Sequence, residues 1–204
     1  MDIANEIAAI HREVAKRPAE GSEVVSALLR RSYGATVEDV WDALTDPDRI
    51  KRWFYPVSGD LRAGGTFQLE GNAGGDILTC TPPRLLRLTF GGPTSIVEVR
   101  LTPDDAGDTV FELEHTVPIE MAGSGAGVLF VGPGWDGALL ALGLFVRGEV
   151  IDDPIAAASS PDALEFSRQS VHAWTEAVTV SQTATAEEIA AGVQMSKAQF
   201  APED

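Results

Sequence analysis

Cysteine is almost missing from this 204-residue sequence, in which Cys80 stands alone. One thiol excludes an internal disulfide and supplies no set of metal ligands. Because Cys80 lies in the apolar run DILTCT, we expect it to be a buried, unreactive thiol. The three histidines, His11, His115 and His172, lie far apart in the chain and show no metal-binding spacing. We therefore expect no metal and no other cofactor.

Positive charge is also scarce, since 15 Lys and Arg against 31 Asp and Glu give a net charge of −16. Nucleic-acid and anionic membrane surfaces both attract clustered Lys and Arg, so this balance argues against either partner. No apolar run approaches the roughly 18–20 residues of a membrane span. Asp2, Glu6 and Glu13 are wrong for a secretory signal. These absences predict an acidic, cytoplasmic protein with no nucleic-acid partner and no membrane insertion.

Motifs that mark enzymes are missing as well. The glycine-rich stretches 64–65 and 71–75 have no Lys-Ser/Thr end and no following helix, so they are turns rather than phosphate loops. No G-x-S-x-G nucleophile motif is present, and no two carboxylates are spaced to converge on one site. The sequence therefore favours a protein that is not an enzyme.

The stretch that organises the chain is TVEDVWDALTDPDRIKRWF, residues 36–54. Thr36 can cap a first short helix, and Asp46-Pro47 supplies the cap and first residue of a second. The second helix leads into Trp53-Phe54, an aromatic pair that needs an apolar surface to cover it.

Short alternating runs predict an antiparallel sheet with one covered and one wet face. These runs follow Phe54 and are residues 66–70, 76–81, 84–90, 95–102 and 109–116, and residues 23–35 are predicted as a first strand that precedes the helix pair. Helical spacing of Trp135, Leu139 and Leu142 predicts a covering helix over 133–147. The glycines between 123 and 134 predict a flexible loop that approaches this helix. We expect the inner face of the sheet to be largely apolar and almost uncharged.

Further helices are predicted at both ends of the chain. Apolar spacing predicts an amphipathic helix over 2–17, and Pro18 and Gly21 end it. Ser160-Pro161 and the capping box that begins at Thr185 start two C-terminal helices. The predicted domains are an N-terminal helix (1–22), a main domain (23–150) and a C-terminal helical extension (151–204).

This order of elements resembles the helix-grip fold of the SRPBCC (START and birch-pollen-allergen-like) superfamily. Within it, the chain looks most like the heat-shock-protein ATPase activator homologue (AHSA) group. The stretches that carry the resemblance are VWDALTDP (40–47), RWF (52–54), GGTF (64–67), PPRLL (82–86) and Gly134-Trp135 with Leu139 and Leu142. The resemblance covers about residues 24–148 and implies an α+β fold, in which a curved antiparallel sheet grips a long helix around an apolar cavity.

The leading hypothesis is a non-enzymatic protein that binds a small hydrophobic or aromatic molecule between the sheet and the long helix. The candidate ligand-binding residues are Trp53, Phe54, Phe67, Leu69, Phe90, Phe111, His115, Trp135, Leu139 and Leu142. The aromatic residues could instead fill the core, and His115 could be a structural, hydrogen-bonded histidine.

Two alternative functions remain open from the sequence. One is a chaperone-associated or regulatory module that contacts a protein partner, or a second copy of itself, through the added helices. The other is a polyketide-cyclase-like enzyme in which His115 moves a proton.

Overall fold

The fold is an antiparallel sheet with helices before, within and after its strands. The computed structural model describes residues 1–19 and 21–202, and the strand order among them is β1-β2-β8-β7-β6-β5-β4-β3. The strands are β1 His11–Ala19, β2 Ser22–Tyr33, β3 Val57–Gly59, β4 Thr66–Leu69, β5 Gly74–Thr81, β6 Leu85–Thr89, β7 Ile96–Pro103 and β8 Thr109–Pro118. The helices are α1 Ile3–Ala8, α2 Val37–Thr45, α3 Pro47–Ile50, α4 Ile119–Ala122, α5 Gly132–Val146, α6 Pro154–Ala157, α7 Pro161–Ser181 and α8 Ala186–Phe200. The predicted α+β helix-grip fold is confirmed.

The chain folds into two compact units that are each built from separate segments. The first unit contains residues 1–29, 116–138 and 158–204, and the second contains residues 30–115 and 139–157. The three-part division at residues 22 and 150 remains a prediction. None of the described helices is long and apolar enough to cross a membrane.

The split helix pair forms as its capping residues predict. The Thr36 hydroxyl accepts a hydrogen bond from the Asp39 amide, and the Asp46 carboxylate accepts one from the Asp48 amide. These bonds satisfy amides that have no partner inside a helix. The Trp53 indole donates to the Ala43 carbonyl at 3.0 Å, which fixes the segment after α3 against α2.

The prediction of one helix over residues 2–17 is wrong. The helix ends at Ala8, and residues 11–19 form the strand β1 at the edge of the sheet. Ile10 and Val14 are buried, as the helical pattern required, but a strand buries them equally well. Pairing with β2 satisfies the backbone of β1 and brings the Arg12 guanidinium to Asp136, so tertiary contacts override the local pattern.

The prediction of a flexible loop before α5 is also wrong. A 3₁₀ helix, Gly125–Phe130, buries Ala126, Val128 and Leu129 in the first unit. A Cβ atom placed on Gly132 would lie 2.5 Å from the Trp174 indole. At least one glycine in this segment therefore permits close packing rather than movement.

The two C-terminal helices begin where the sequence predicts them. Ser160 caps α7, and Thr185 and Glu188 form the reciprocal capping box of α8. The buried stripe of α7 includes Val171 and Trp174 and packs within the first unit.

Candidate functional site

A β-bulge aligns apolar side chains on the inward face of the second unit. Ile77 opposes Leu88 and Cys80 opposes Leu86, with a register shift between Ile77 and Thr79. Without that shift Ile77 and Cys80, three residues apart, would face opposite sides of the strand. The bulge therefore places both on the side that Leu86 and Leu88 share.

These side chains belong to an apolar cluster on β4, β5 and β6, which we call the β4–β6 cluster. Its buried members are Phe67, Leu69 and Ile77. The side chains packed against them keep part of their surface exposed, and they are Phe54, Tyr55, Val57, Cys80, Leu86, Leu88 and Phe90. The cluster is therefore only partly covered by the protein itself.

Four side chains continue this surface across neighbouring strands. Phe67 pairs with Gly75 across β4 and β5, and the Phe90 amide donates to the Ser95 carbonyl at 2.9 Å. The Ser95 Oγ lies 2.8 Å from His115 Nε2. We call Phe67, Phe90, Ser95 and His115 the inward row.

The aromatic rings of the inward row lie at stacking distances from one another. The Phe67 and Phe90 rings are 6.3 Å apart at an angle of 29°, whereas Phe90 meets the His115 ring edge-on at 6.1 Å and 73°. Ile77 pairs with Leu88, so the same register places Gly75 opposite Phe90. Gly75 also pairs with Phe67. Because Gly75 has no side chain, it places nothing between the Phe67 ring and the Phe90 ring. The row thus has an aromatic end and a polar end.

The polar end of the row carries no charge at neutral pH. Burial lowers the pKa of His115 from 6.5 to about 4, because desolvation penalises the imidazolium. In the neutral ring, Nε2 either donates to the Ser95 hydroxyl or accepts from it. Ser95 and His115 therefore form a buried, neutral hydrogen-bonding pair.

A second group of candidate residues lies in a filled part of the core. The Phe111 ring meets the Tyr33 ring edge-on at 5.9 Å, and the Tyr33 hydroxyl donates to the Leu139 carbonyl at 2.9 Å. Phe111, Leu139 and Leu142 are all exposed by 2% or less. These residues secure the second half of α5 within the second unit and offer no surface to a ligand as they stand.

The remaining candidates separate into two structural roles. Phe54 stacks on Trp53 at 5.2 Å and also packs on the β4–β6 cluster, whereas Trp53 is buried and bonded to Ala43. Trp135 belongs to the first unit, whereas the four residues of the inward row belong to the second. The structure thus brings together Phe54, Phe67, Leu69, Phe90 and His115 out of the ten predicted residues.

Sequence reasoning missed two residues on the inner side of the second unit. Ser95 lies in the predicted strand 95–102 and has the same parity as the buried Val97, but a serine at this position carries no motif that would indicate a role. Arg31 is buried over the Tyr33 ring, with its guanidinium carbon 5.5 Å from the ring centre. The expectation of an almost uncharged inner face therefore needs correction. The alternation of Leu29, Arg31 and Tyr33 along β2 is the sequence signal that places Arg31 on the inner side.

The first unit contains a buried ionic network around Asp136. Arg12 Nε donates to Asp136 Oδ2 at 2.8 Å and Trp174 Nε1 donates to it at 3.1 Å, and the Ser170 hydroxyl donates to the same oxygen. Arg12 Nη1 also bonds the carbonyls of Ile7 and Ile10. Burial raises the pKa of Asp136 from 3.8 to about 6, against the opposing effects of Arg12 and the hydrogen bonds. The network joins β1, α5 and α7.

No three metal-ligating side chains come together within residues 1–19 and 21–202. The Ser95–His115 pair joins a hydroxyl to an imidazole. Its geometry is that of a hydrogen-bonding site, and its histidine is a weak base because of the lowered pKa.

Comparison with known proteins identifies relatives of this fold. The family described as Activator of Hsp90 ATPase homolog 1-like protein matches residues 34–142. The crystal structure of CalU16 from Micromonospora echinospora is 40% identical, covers 83% of this chain and 98% of its own, and has a TM-score of 0.69. The solution structure of CalU16 gives 39% identity, 85% and 97% coverage, and a TM-score of 0.70.

A more distant structure shares the fold only. DynU16, a protein in the dynemicin biosynthetic locus, is 24% identical over 61% of this chain and 48% of its own, with a TM-score of 0.53. A search of curated proteins finds no match. Since the family match spans more than half of the chain, the protein belongs to the Activator of Hsp90 ATPase homolog 1-like family, within the SRPBCC superfamily.

Proposed function

We propose that this protein binds a small hydrophobic or aromatic molecule against the inward row and the β4–β6 cluster. The observation that carries the proposal is the incomplete burial of the cluster. Three buried apolar side chains are surrounded by seven that remain partly exposed, although all ten pack together. In the filled core, by contrast, Phe111 and Leu139 are 2% exposed. A ligand that covered the exposed part would gain about 25 cal/mol for each Å² of apolar surface removed from water.

The chemistry of the row suits a flat ring better than a charged substrate. Phe67 and Phe90 offer ring faces and edges to which an aromatic ligand can stack. His115 adds hydrogen bonding without a charge that would have to be desolvated. The same lowered pKa makes His115 a poor general base at neutral pH, which favours binding over cyclase-type catalysis.

A thermal-shift screen against fatty acids, steroids, flavonoids and polyketide-like aromatics tests the proposal. A ligand at a hundred times its dissociation constant stabilises the folded protein by about 2.7 kcal/mol, which raises the melting temperature measurably. Phe90→Ala should weaken a bound aromatic about tenfold, because it removes one of the two ring surfaces.

Leu78→Ala is the matched control, because Leu78 is on the same sheet but is 42% exposed and is not part of the cluster. Equal loss of affinity in both variants would contradict the proposed location. A panel without any saturable shift would contradict the proposed function.

A protein–protein contact through the C-terminal helices is the second candidate function. The observation that favours it is the exposure of large apolar side chains in the first unit, where Val180 is 82% and Met195 55% exposed. Deleting residues 154–204 would not test it, because α7 carries Trp174 and other core residues. Val180→Asp and Met195→Asp leave the core intact. Sedimentation of the wild type and both variants should show a dimer that the substitutions dissociate, and a monomeric wild type would rule out the homodimer.

A further inference from the structure

Ser95 and His115 are the polar members of the inward row, whose other two side chains are Phe67 and Phe90. Ser95 is 6% and His115 5% exposed, and their side chains share a hydrogen bond of 2.8 Å. Ser95 precedes β7 and has the parity of Val97 and Val99, so its side chain lies on the same inward side. A polar pair in such a place is costly to bury unless its hydrogen bonds are made. Any ligand that covers the row must therefore accommodate the pair.

The pair can offer a ligand either a donor or an acceptor. When His115 Nε2–H donates to Ser95 Oγ, the serine hydroxyl proton is available to a ligand carbonyl or hydroxyl. When the Ser95 hydroxyl donates to Nε2 instead, Oγ can accept a hydrogen bond from a ligand hydroxyl. Both arrangements are neutral, so neither compensates the charge of an anion.

The aromatic end of the inward row lies next to its polar end. The His115 ring is 6.1 Å from the Phe90 ring, which is 6.3 Å from the Phe67 ring. A ring that stacks on the His115 side of Phe90 therefore lies next to the His115 ring. A substituent on the edge of that ring would then be directed toward Ser95 Oγ, the hydrogen-bond partner of His115.

We propose that the ligand is a flat aromatic molecule with a neutral hydroxyl or carbonyl substituent, which hydrogen-bonds to Ser95 Oγ while Phe90 and Phe67 contact the ring. His115 acts through Ser95 by orienting its hydroxyl. This inference rests on the proposed function and adds the chemical class of the ligand to it. An apolar ring without the substituent would leave the pair without a ligand partner, and a carboxylate would place a charge in a neutral, buried site.

Calorimetric titration of the full chain near neutral pH with three naphthalene probes tests the inference. The probes are naphthalene, 2-naphthol and 2-naphthoate, which share one ring system and differ in the polar group. We expect naphthalene to bind, 2-naphthol to bind about fivefold more tightly, and 2-naphthoate to bind more weakly than 2-naphthol. Ser95→Ala should remove the preference for 2-naphthol over naphthalene. Ser32→Ala, an exposed serine on β2, should keep it.

The outcomes separate the inference from the function on which it rests. If naphthalene binds but 2-naphthol gains nothing over it in the wild type, the role of Ser95 and His115 is overturned, and this comparison needs no variant to fold. A preference for 2-naphthol that survives Ser95→Ala overturns it as well, and tighter binding of 2-naphthoate overturns the choice of a neutral group. If none of the three probes binds, the proposed function fails for aromatic ligands, and the inference fails with it.

Discussion

The buried carboxylate of Asp136 should make the stability of this protein depend on pH in an unusual direction. Arg12, Ser170 and Trp174 all donate to Asp136 Oδ2, whereas Asp136 Oδ1 and Arg12 Nη2 make no hydrogen bond to any residue that the structure describes. The carboxylate is therefore only half solvated by its partners. This explains why burial raises its pKa to about 6 despite the adjacent guanidinium.

The sign of the effect follows from the two pKa values. The folded-state pKa of about 6 is above the unfolded value of 3.8, so the folded state binds the proton more tightly. The contribution of Asp136 to stability is therefore greatest below the unfolded pKa and is lost as the pH rises through the folded pKa. One pKa unit corresponds to about 1.4 kcal/mol, so at about pH 5 the group should add about 1 kcal/mol relative to about pH 7.5.

Urea denaturation of the wild type and Asp136→Asn at both pH values isolates this contribution from other carboxylates. The stability difference, wild type minus variant, should be about 1 kcal/mol larger at the lower pH. Tryptophan fluorescence is a suitable probe, because the Trp174 indole contacts Asp136. A difference that stays constant or shrinks on acidification would refute the reasoning.

Removing the cation instead of the anion gives the complementary result. Arg12→Met should cost about 3–5 kcal/mol near pH 7.5, because a buried carboxylate loses its ionic partner, and less near pH 5, where the carboxylate protonates. Lys16→Met is the matched control on β1. The ion pair of Lys16 with Glu23 is exposed, so its loss should cost at most about 1 kcal/mol. Equal losses of unfolding free energy in the two variants would contradict a large contribution of the buried ionic network to stability.

Three further outcomes are expected. Gly132→Ala should destabilise the protein by about 1–3 kcal/mol in urea denaturation, because its Cβ would lie 2.5 Å from the Trp174 indole, and an unchanged midpoint would contradict that packing. Thr185→Ala should cost about 1 kcal/mol and shorten α8 at its start, as read from amide hydrogen exchange, and unchanged protection there would count against the capping box. In an NMR titration the His115 ring should stay neutral down to about pH 5 and titrate near 4, whereas a midpoint above 6 would contradict its burial.

Local signals predicted much of the fold correctly. Thr36, Asp46 and Thr185 each cap a helix at the predicted residue, because an N-cap needs only a side chain and amides two or three positions away. Strands β4 to β8 coincide with runs in which apolar and polar residues alternate. Turn-forming residues mark the ends of each run clearly. The covering helix was predicted for residues 133–147 and spans Gly132–Val146.

The strand at residues 11–19 and the order of the inward row depend on information that no local pattern contains. Residues 11–17 continue a helical pattern, but β1 forms there because β2 offers an edge and Asp136 offers a partner for Arg12. The alternation of apolar and polar residues predicts that Phe67, Phe90 and His115 each face inward. Which of them are neighbours across the sheet depends on the strand register. Ser95 shares the parity of Val97, but its hydrogen bond to His115 joins residues twenty positions apart in the chain, which no local pattern shows.

We propose that the inward row of the second unit is a binding surface for an aromatic molecule. Titration of the isotope-labelled protein with 2-naphthol, followed through backbone amide NMR shifts, tests it most directly. If the aromatic molecule binds there, we expect saturable shifts at Phe67, Phe90, Ser95 and His115, with little change at the exposed Ser32 and Leu78. An absence of saturable shifts, or shifts confined to α7 and α8, would contradict it.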